Sequence, residues 1–148
     1  MVFTAARLLV PRASAGPYRD SEHTAHHALH SSVLPAFFGF CPPQRRQSIG
    51  DFIMEKGLCC GVYMAYFVLK ALCRPGRPAD AYRLIVNDGE HSWLNMVREG
   101  AATCFEAWGK DQKANTSLCR PWVGAPIAVP DRVPRMIGAH PPGQVSAR

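Results

Sequence analysis

Apolar residues in the middle of this chain fall at helical spacing, and the breaks between them are marked by Gly and Pro. Ser21 suits the N-cap of a helix reaching about Ser32. Pro42-Pro43 breaks the chain, and a second helix is predicted from about Gln44 to Lys56. There Ile49, Phe52 and Ile53 stand at i, i+3 and i+4, and Gly57 stops the run. A third helix, about Gly61 to Cys73, is apolar almost all round, with Lys70 its only charge; such a helix is buried on most sides. The turn Arg74-Pro75-Gly76-Arg77-Pro78 leads to a fourth helix, about Ala79 to Val86, which places Ala81, Leu84 and Ile85 on one face. After Asn87-Asp88-Gly89 comes a short helix, about Ser92 to Glu99, with Leu94 and Val97 expected inward and Gly100 as its stop. Thr103 to Trp108 reads as another short helix and Gly109 to Thr116 as a polar loop. A last helix from about Val123 to Ile137 has Pro126, Pro130 and Pro134 against it.

The recurring unit is a pair of helices joined by a short turn, with buried helices alternating with amphipathic ones. That pattern predicts an all-α fold of layered helical hairpins. At 148 residues the chain suits one domain. Residues 1–20 read as a disordered leader and residues 139–148 as a Pro- and Gly-containing tail, leaving 21–138 as the folded domain. The longest apolar run, Gly61 to Leu69, is far below a membrane-spanning length, so no membrane partner is expected.

Charge changes the picture little. Seventeen Lys and Arg stand against eleven Asp and Glu, a net charge of +6. A basic balance can serve nucleic acid, but the arginines are scattered, Arg45-Arg46 is the only adjacent pair, and no nucleic-acid motif accompanies them. No nucleic-acid partner is expected. The six cysteines include no C-x-x-C pair, and several lie in apolar runs. This points away from a disulfide framework and toward the reducing cytoplasm.

Several residues are candidates for chemistry. His23, His26, His27 and His30 would share one face of a helix, suited either to zinc or to a polar lining. With no Cys ligand at suitable spacing, neither metal nor other cofactor is expected. Cys59-Cys60 and Cys104, the latter with a histidine such as His91, offer nucleophiles that read more simply as core thiols. Trp93, Trp108 and Trp122 either fill the core or stack on sugar faces. Glu106 lies between Phe105 and Trp108, where aromatic neighbours can desolvate a carboxylate and raise its pKa. The alternative is a surface or salt-bridged glutamate.

Three blocks carry a resemblance. Ser21-Glu22-His23-Thr24, the run from Ser92-Trp93-Leu94-Asn95 through Gly100-Ala101-Ala102-Thr103-Cys104-Phe105-Glu106-Ala107-Trp108, and Thr116-Ser117-Leu118-Cys119-Arg120-Pro121-Trp122 resemble successive blocks of the α-L-rhamnosidase family. The resemblance covers about residues 21 to 140; the leader 1–20 lies outside it. It implies part of an (α/α)₆ six-hairpin barrel, its C-terminal part, in an inverting glycoside hydrolase that acts on rhamnose-containing glycosides. It implies that Glu106 is the general base, which activates water on one face of the sugar while a general acid works from the other. No residue of this chain corresponds to the family's general acid. The resemblance also places Arg120 where the family usually has His, with Trp93 and Trp122 as weaker substrate contacts, and Ala102 where it usually has Thr. Arginine is always charged, so it cannot act as a neutral imidazole and would lower the pKa of Glu106. The expectation is a piece of a truncated or decayed gene, inactive alone and prone to self-association through exposed barrel helices, the Gly61 to Cys73 helix above all. The rival expectation is a non-catalytic helical interaction module.

Overall fold

The computed structural model describes residues 16–121 and 124–129, and all of its regular structure is helical. The elements are α1 (Leu29–Phe37), α2 (Pro43–Lys56), α3 (Val62–Cys73), α4 (Pro78–Ile85), α5 (Trp93–Arg98) and the single turn α6 (Ala125–Ala128). Four of the expected helices stand within a residue or so of their predicted ends. Pro43 and Pro78 sit in the first turns of α2 and α4, where a missing N–H costs nothing. Of the last helix, only α6 falls among the described residues. Residues 130–137 and the tail 139–148 lie outside them, as do residues 1–15 of the leader.

Helix α3 is the centre. It packs against α1, α2, α4 and α6, and Val62, Met64, Ala65, Val68, Leu69, Ala71, Leu72 and Cys73 are buried along it. This corrects the expectation that α3 is the exposed face of an open barrel. Its own neighbours in the chain cover it, and what stays outside is one aromatic edge. Tyr63 is 64 % exposed, and beside it Phe37, Tyr66 and Phe67 meet ring to ring.

The first helix begins seven residues later than expected, with Ala28 rather than Ser21 at its cap, because Asp20 outcompetes Ser21. Its carboxylate accepts from the Ala28 N–H at 2.7 Å and the Ser31 hydroxyl at 2.7 Å, and it pairs with the His26 ring. These contacts hold residues 20–28 as a loop and place a negative charge at the N-terminus of α1, where the helix dipole favours it. The loop is packed, not trailing: Tyr18 is buried and its N–H donates to Ser32 Oγ at 2.9 Å. The four histidines therefore share no helical face. His26 turns to Asp20, the His27 Nδ1 lies 3.0 Å from the Tyr18 carbonyl oxygen, and His23 and His30 are exposed. Among the described residues no three His, Cys, Asp or Glu side chains group as metal ligands.

Candidate active site

The segment that carries Glu106 is positioned by α5. Ser92 caps this helix: its Oγ accepts from the Asn95 N–H at 2.9 Å and donates to the Gly89 carbonyl at 2.6 Å. Gly100, at φ +82°, ends it. The Gly100 N–H reaches the Val97 carbonyl and the Ala101 N–H the Met96 carbonyl, both at 2.9 Å. This is a paired closure that needs the left-handed backbone glycine adopts freely. Helix α5 is turned about its axis relative to expectation. Met96 is buried, whereas Leu94 is 39 % and Val97 62 % exposed. The rotation follows from Ser92 and Asn95, which the polar contacts draw inward. Asn95 Nδ2 donates to Glu99 Oε1 at 2.9 Å and to the Trp108 carbonyl at 3.1 Å.

Residues 103–108 are not the short helix expected of them. They run irregularly beside residues 117–120. The Glu106 N–H donates to the Ser117 carbonyl at 2.8 Å, the Arg120 N–H to the Cys104 carbonyl at 2.9 Å, and the Thr103 hydroxyl to the Leu118 carbonyl at 2.7 Å. Cross-chain partners thus satisfy backbone groups that a helix would have bonded internally. The result separates Glu106 from its aromatic neighbours. Phe105 and Trp108 are each 2 % exposed and belong to the core, while the Glu106 side chain is 26 % exposed. Trp108 is fixed by its Nε1, which donates to the Cys60 carbonyl at 2.6 Å, by His91 stacked at 6.2 Å, and by Trp93 edge-on at 5.0 Å.

Glu106 therefore sits among cations, not in an apolar pocket. Its Oε1 lies 2.8 Å from Lys113 Nζ. Its Oε2 accepts from the Ser117 N–H at 3.2 Å and lies 3.5 Å from Arg120 Nη2. The Lys113 hydrogen bond, then the Ser117 N–H, hold its pKa below the ordinary carboxylate value, and the charges of Lys113 and Arg120 add to this. The expectation that the flanking aromatics raise this pKa is overturned, since the rings point the other way. The lowering by Arg120 is present, but Lys113 contributes more. Lys113 went unrecognised because it lies in a polar loop at a spacing with no helical or strand meaning. Only the pairing of 103–106 with 117–120 brings it round.

The structure thus brings Glu106 and Arg120 together. It gives Trp93 to the Trp108 cluster. Trp122 lies outside the described residues. Ala102 is exposed, and the hydroxyl that bridges to the second segment is that of Thr103. The six cysteines are free thiols, and burial pushes Cys60 up to about 12 and raises Cys41, Cys73 and Cys104. None of the four is an activated nucleophile.

The class so defined is an all-helical domain of hairpins with a carboxylate displayed on an irregular segment that follows a short helix. A family model, the bacterial alpha-L-rhamnosidase 6 hairpin glycosidase domain, matches residues 7–129. The chain belongs to that family. The matched region begins ahead of Ser21 and includes Trp93, Glu106, Arg120 and Trp122. No curated protein and no solved structure matches this chain. Among the described residues no helix is long and apolar enough to cross a membrane.

Proposed function

We propose that this chain is a rhamnosidase-like glycosidase domain in which Glu106 holds the position of the general base. In the full-length family that base serves the hydrolysis of terminal α-L-rhamnosides with inversion. The observation that carries the reading is the family match across residues 7–129, which includes Glu106. The geometry supports it in part. Glu106 is kept ionised by Lys113, Ser117 and Arg120, as a base must be before it accepts a proton. The same contacts occupy both of its oxygens and lower its basicity: among the described residues its polar partners are two cations and a backbone amide. Inversion requires a general acid across the sugar, roughly 6.5–9.5 Å from the base. The chain alone is therefore expected to be inactive; the free cysteines among the described residues support a cytoplasmic location.

The test is release of aglycone from an aryl α-L-rhamnoside by the purified chain. No release above the buffer rate is expected. Release that disappears in Glu106→Gln would refute inactivity and establish the base; release that survives Glu106→Gln would remove Glu106 from the chemistry.

A specific observation favours a second reading, a non-catalytic helical module that associates with itself. Phe38, Phe40 and Tyr63 are 57 %, 54 % and 64 % exposed; Phe38 and Phe40 stack just after α1, and Phe37 and Phe67 link Phe38 to Tyr63 ring by ring. Exposed aromatic clusters of this kind favour association. Sedimentation across a hundredfold concentration range decides it: a monomer throughout contradicts this reading.

A further inference from the structure

A cavity of about 250 Å³ opens where the end of α1, the first half of α2 and the end of α3 meet. It lies apart from Glu106 and shares no residue with that site. Its floor is apolar, made by Ala36, Ile49 and Ala71, and Cys41 closes one side. Ile49, Ala71 and Cys41 are all nearly inaccessible. The rim carries two guanidinium groups, Arg46 from α2 and Arg74 from the end of α3. Among the described residues no acidic side chain lines the cavity.

These two arginines differ from others in the molecule. Arg77 is held by Asp51 at 2.7 Å and by Asp80 at 2.5 Å, and Arg83 also reaches Asp80. Neither Arg46 nor Arg74 forms an ion pair among the described residues. Arg74 lies over the Phe37 ring at 5.4 Å, which orients its guanidinium without neutralising it. Gly39, at φ +79°, brings the chain close: a Cβ there would stand 3.4 Å from Arg74 Nη1. Both arginines are exposed and line the same cavity, so an anion entering it would meet two cations that no carboxylate neutralises among the described residues. A guanidinium meets a carboxylate with two parallel N–H···O bonds. The side chains of Ala36, Ile49 and Ala71 favour a ligand whose remaining atoms are apolar. The volume falls just below the usual range for small-molecule pockets, on the order of 300–1,000 Å³, which limits the ligand to a compact one.

We propose that this cavity is a binding site for a small carboxylate with an apolar body, its carboxylate gripped by Arg46 and Arg74 and its body seated on Ala36, Ile49 and Ala71. The inference is independent of the role given to Glu106.

The test is a titration of the chain, labelled at arginine side-chain nitrogen, with sodium benzoate at constant ionic strength, with sodium chloride and inorganic phosphate as separate arms. The expected result is saturable movement of the Arg46 and Arg74 Nε resonances with a Kd of ~1 mM or below, while Arg77 stays fixed. Binding should weaken by roughly tenfold or more in Arg46→Gln/Arg74→Gln, as loss of charge-assisted bonds requires. Shifts that do not saturate, or that chloride reproduces, overturn the proposal. Phosphate binding tighter than benzoate overturns the apolar body. Because the primary readout is on the unmodified chain, a double variant that fails to fold leaves the proposal open to refutation by the first measurement.

Discussion

Helix α3 and the 103–120 segment are held by opposite means. Along α3 eight side chains are buried, and the stabilisation is apolar area removed from water, which has no preferred direction. The 103–120 segment sends two large side chains into the core, Phe105 and Trp108, and is otherwise fixed by single hydrogen bonds and ion pairs. The difference teaches where each region is vulnerable. Helix α3 responds to volume and is indifferent to pH and salt. The segment carrying Glu106 responds to the loss of one polar group, and its anchoring depends on charge.

The largest effect is expected in α3. Leu69 is fully buried, and Leu69→Ala should cost ~2–5 kcal/mol by lost transfer energy and the cavity left behind. Leu94→Ala on the outward side of α5 should fall within about 0.5 kcal/mol of the parent. Urea unfolding followed by far-ultraviolet circular dichroism measures both. A cost for Leu69→Ala no greater than that for Leu94→Ala would show that α3 is not the organising core.

Trp108 belongs to both regions, so it probes the boundary between them. Trp108→Phe keeps most of the ring but leaves the Cys60 carbonyl without its 2.6 Å donor, a loss expected to cost ~1–3 kcal/mol. Ser92→Ala removes the cap of α5 and should cost ~1 kcal/mol. If the two variants melt like the parent, the segment does not depend on single polar contacts, and the contrast with α3 collapses.

What the sequence made legible follows the same division. Apolar periodicity and chain breakers located α2, α3, α4 and α5 closely, because burial and Pro or Gly punctuation act within a window of neighbours. The stop at Gly100 was readable for that reason. The competition between Ser21 and Asp20 was not, since Asp20 wins through contacts with Ala28 and Ser31 eight and eleven residues away. Nor was the orientation of α5, because Leu94 and Val97 are the more apolar choices on paper while Asn95 is held inward by Glu99 and the Trp108 carbonyl. At the site, Glu106 and Arg120 were found by resemblance and lie together. Lys113 was invisible because its partner is chosen by chain pairing between 103–106 and 117–120, a tertiary event with no local signature.

The smallest expected effect tests the electrostatic half of the comparison. A carboxylate whose folded pKa is depressed contributes stability that is present above its unfolded pKa and is lost as pH falls through the folded value. Glu106 is such a group, so the anchoring of Ser117 and Arg120 should weaken only when the pH drops below the ordinary carboxylate range. Observed by the Glu106 side-chain carbonyl resonance, the midpoint should lie below that of an unperturbed glutamate. Lys113→Ala should raise it more than Arg120→Ala does, since the Lys113 contact is shorter, 2.8 Å against 3.5 Å. Raising salt from about 0.1 M to 1 M shortens the screening length from ~10 Å to ~3 Å and should move the midpoint upward as well, because these ion pairs are partly exposed. The amides of α3 should titrate in neither series. A larger response to Arg120→Ala than to Lys113→Ala would reverse the order of the two cations and make Arg120 the principal control on Glu106.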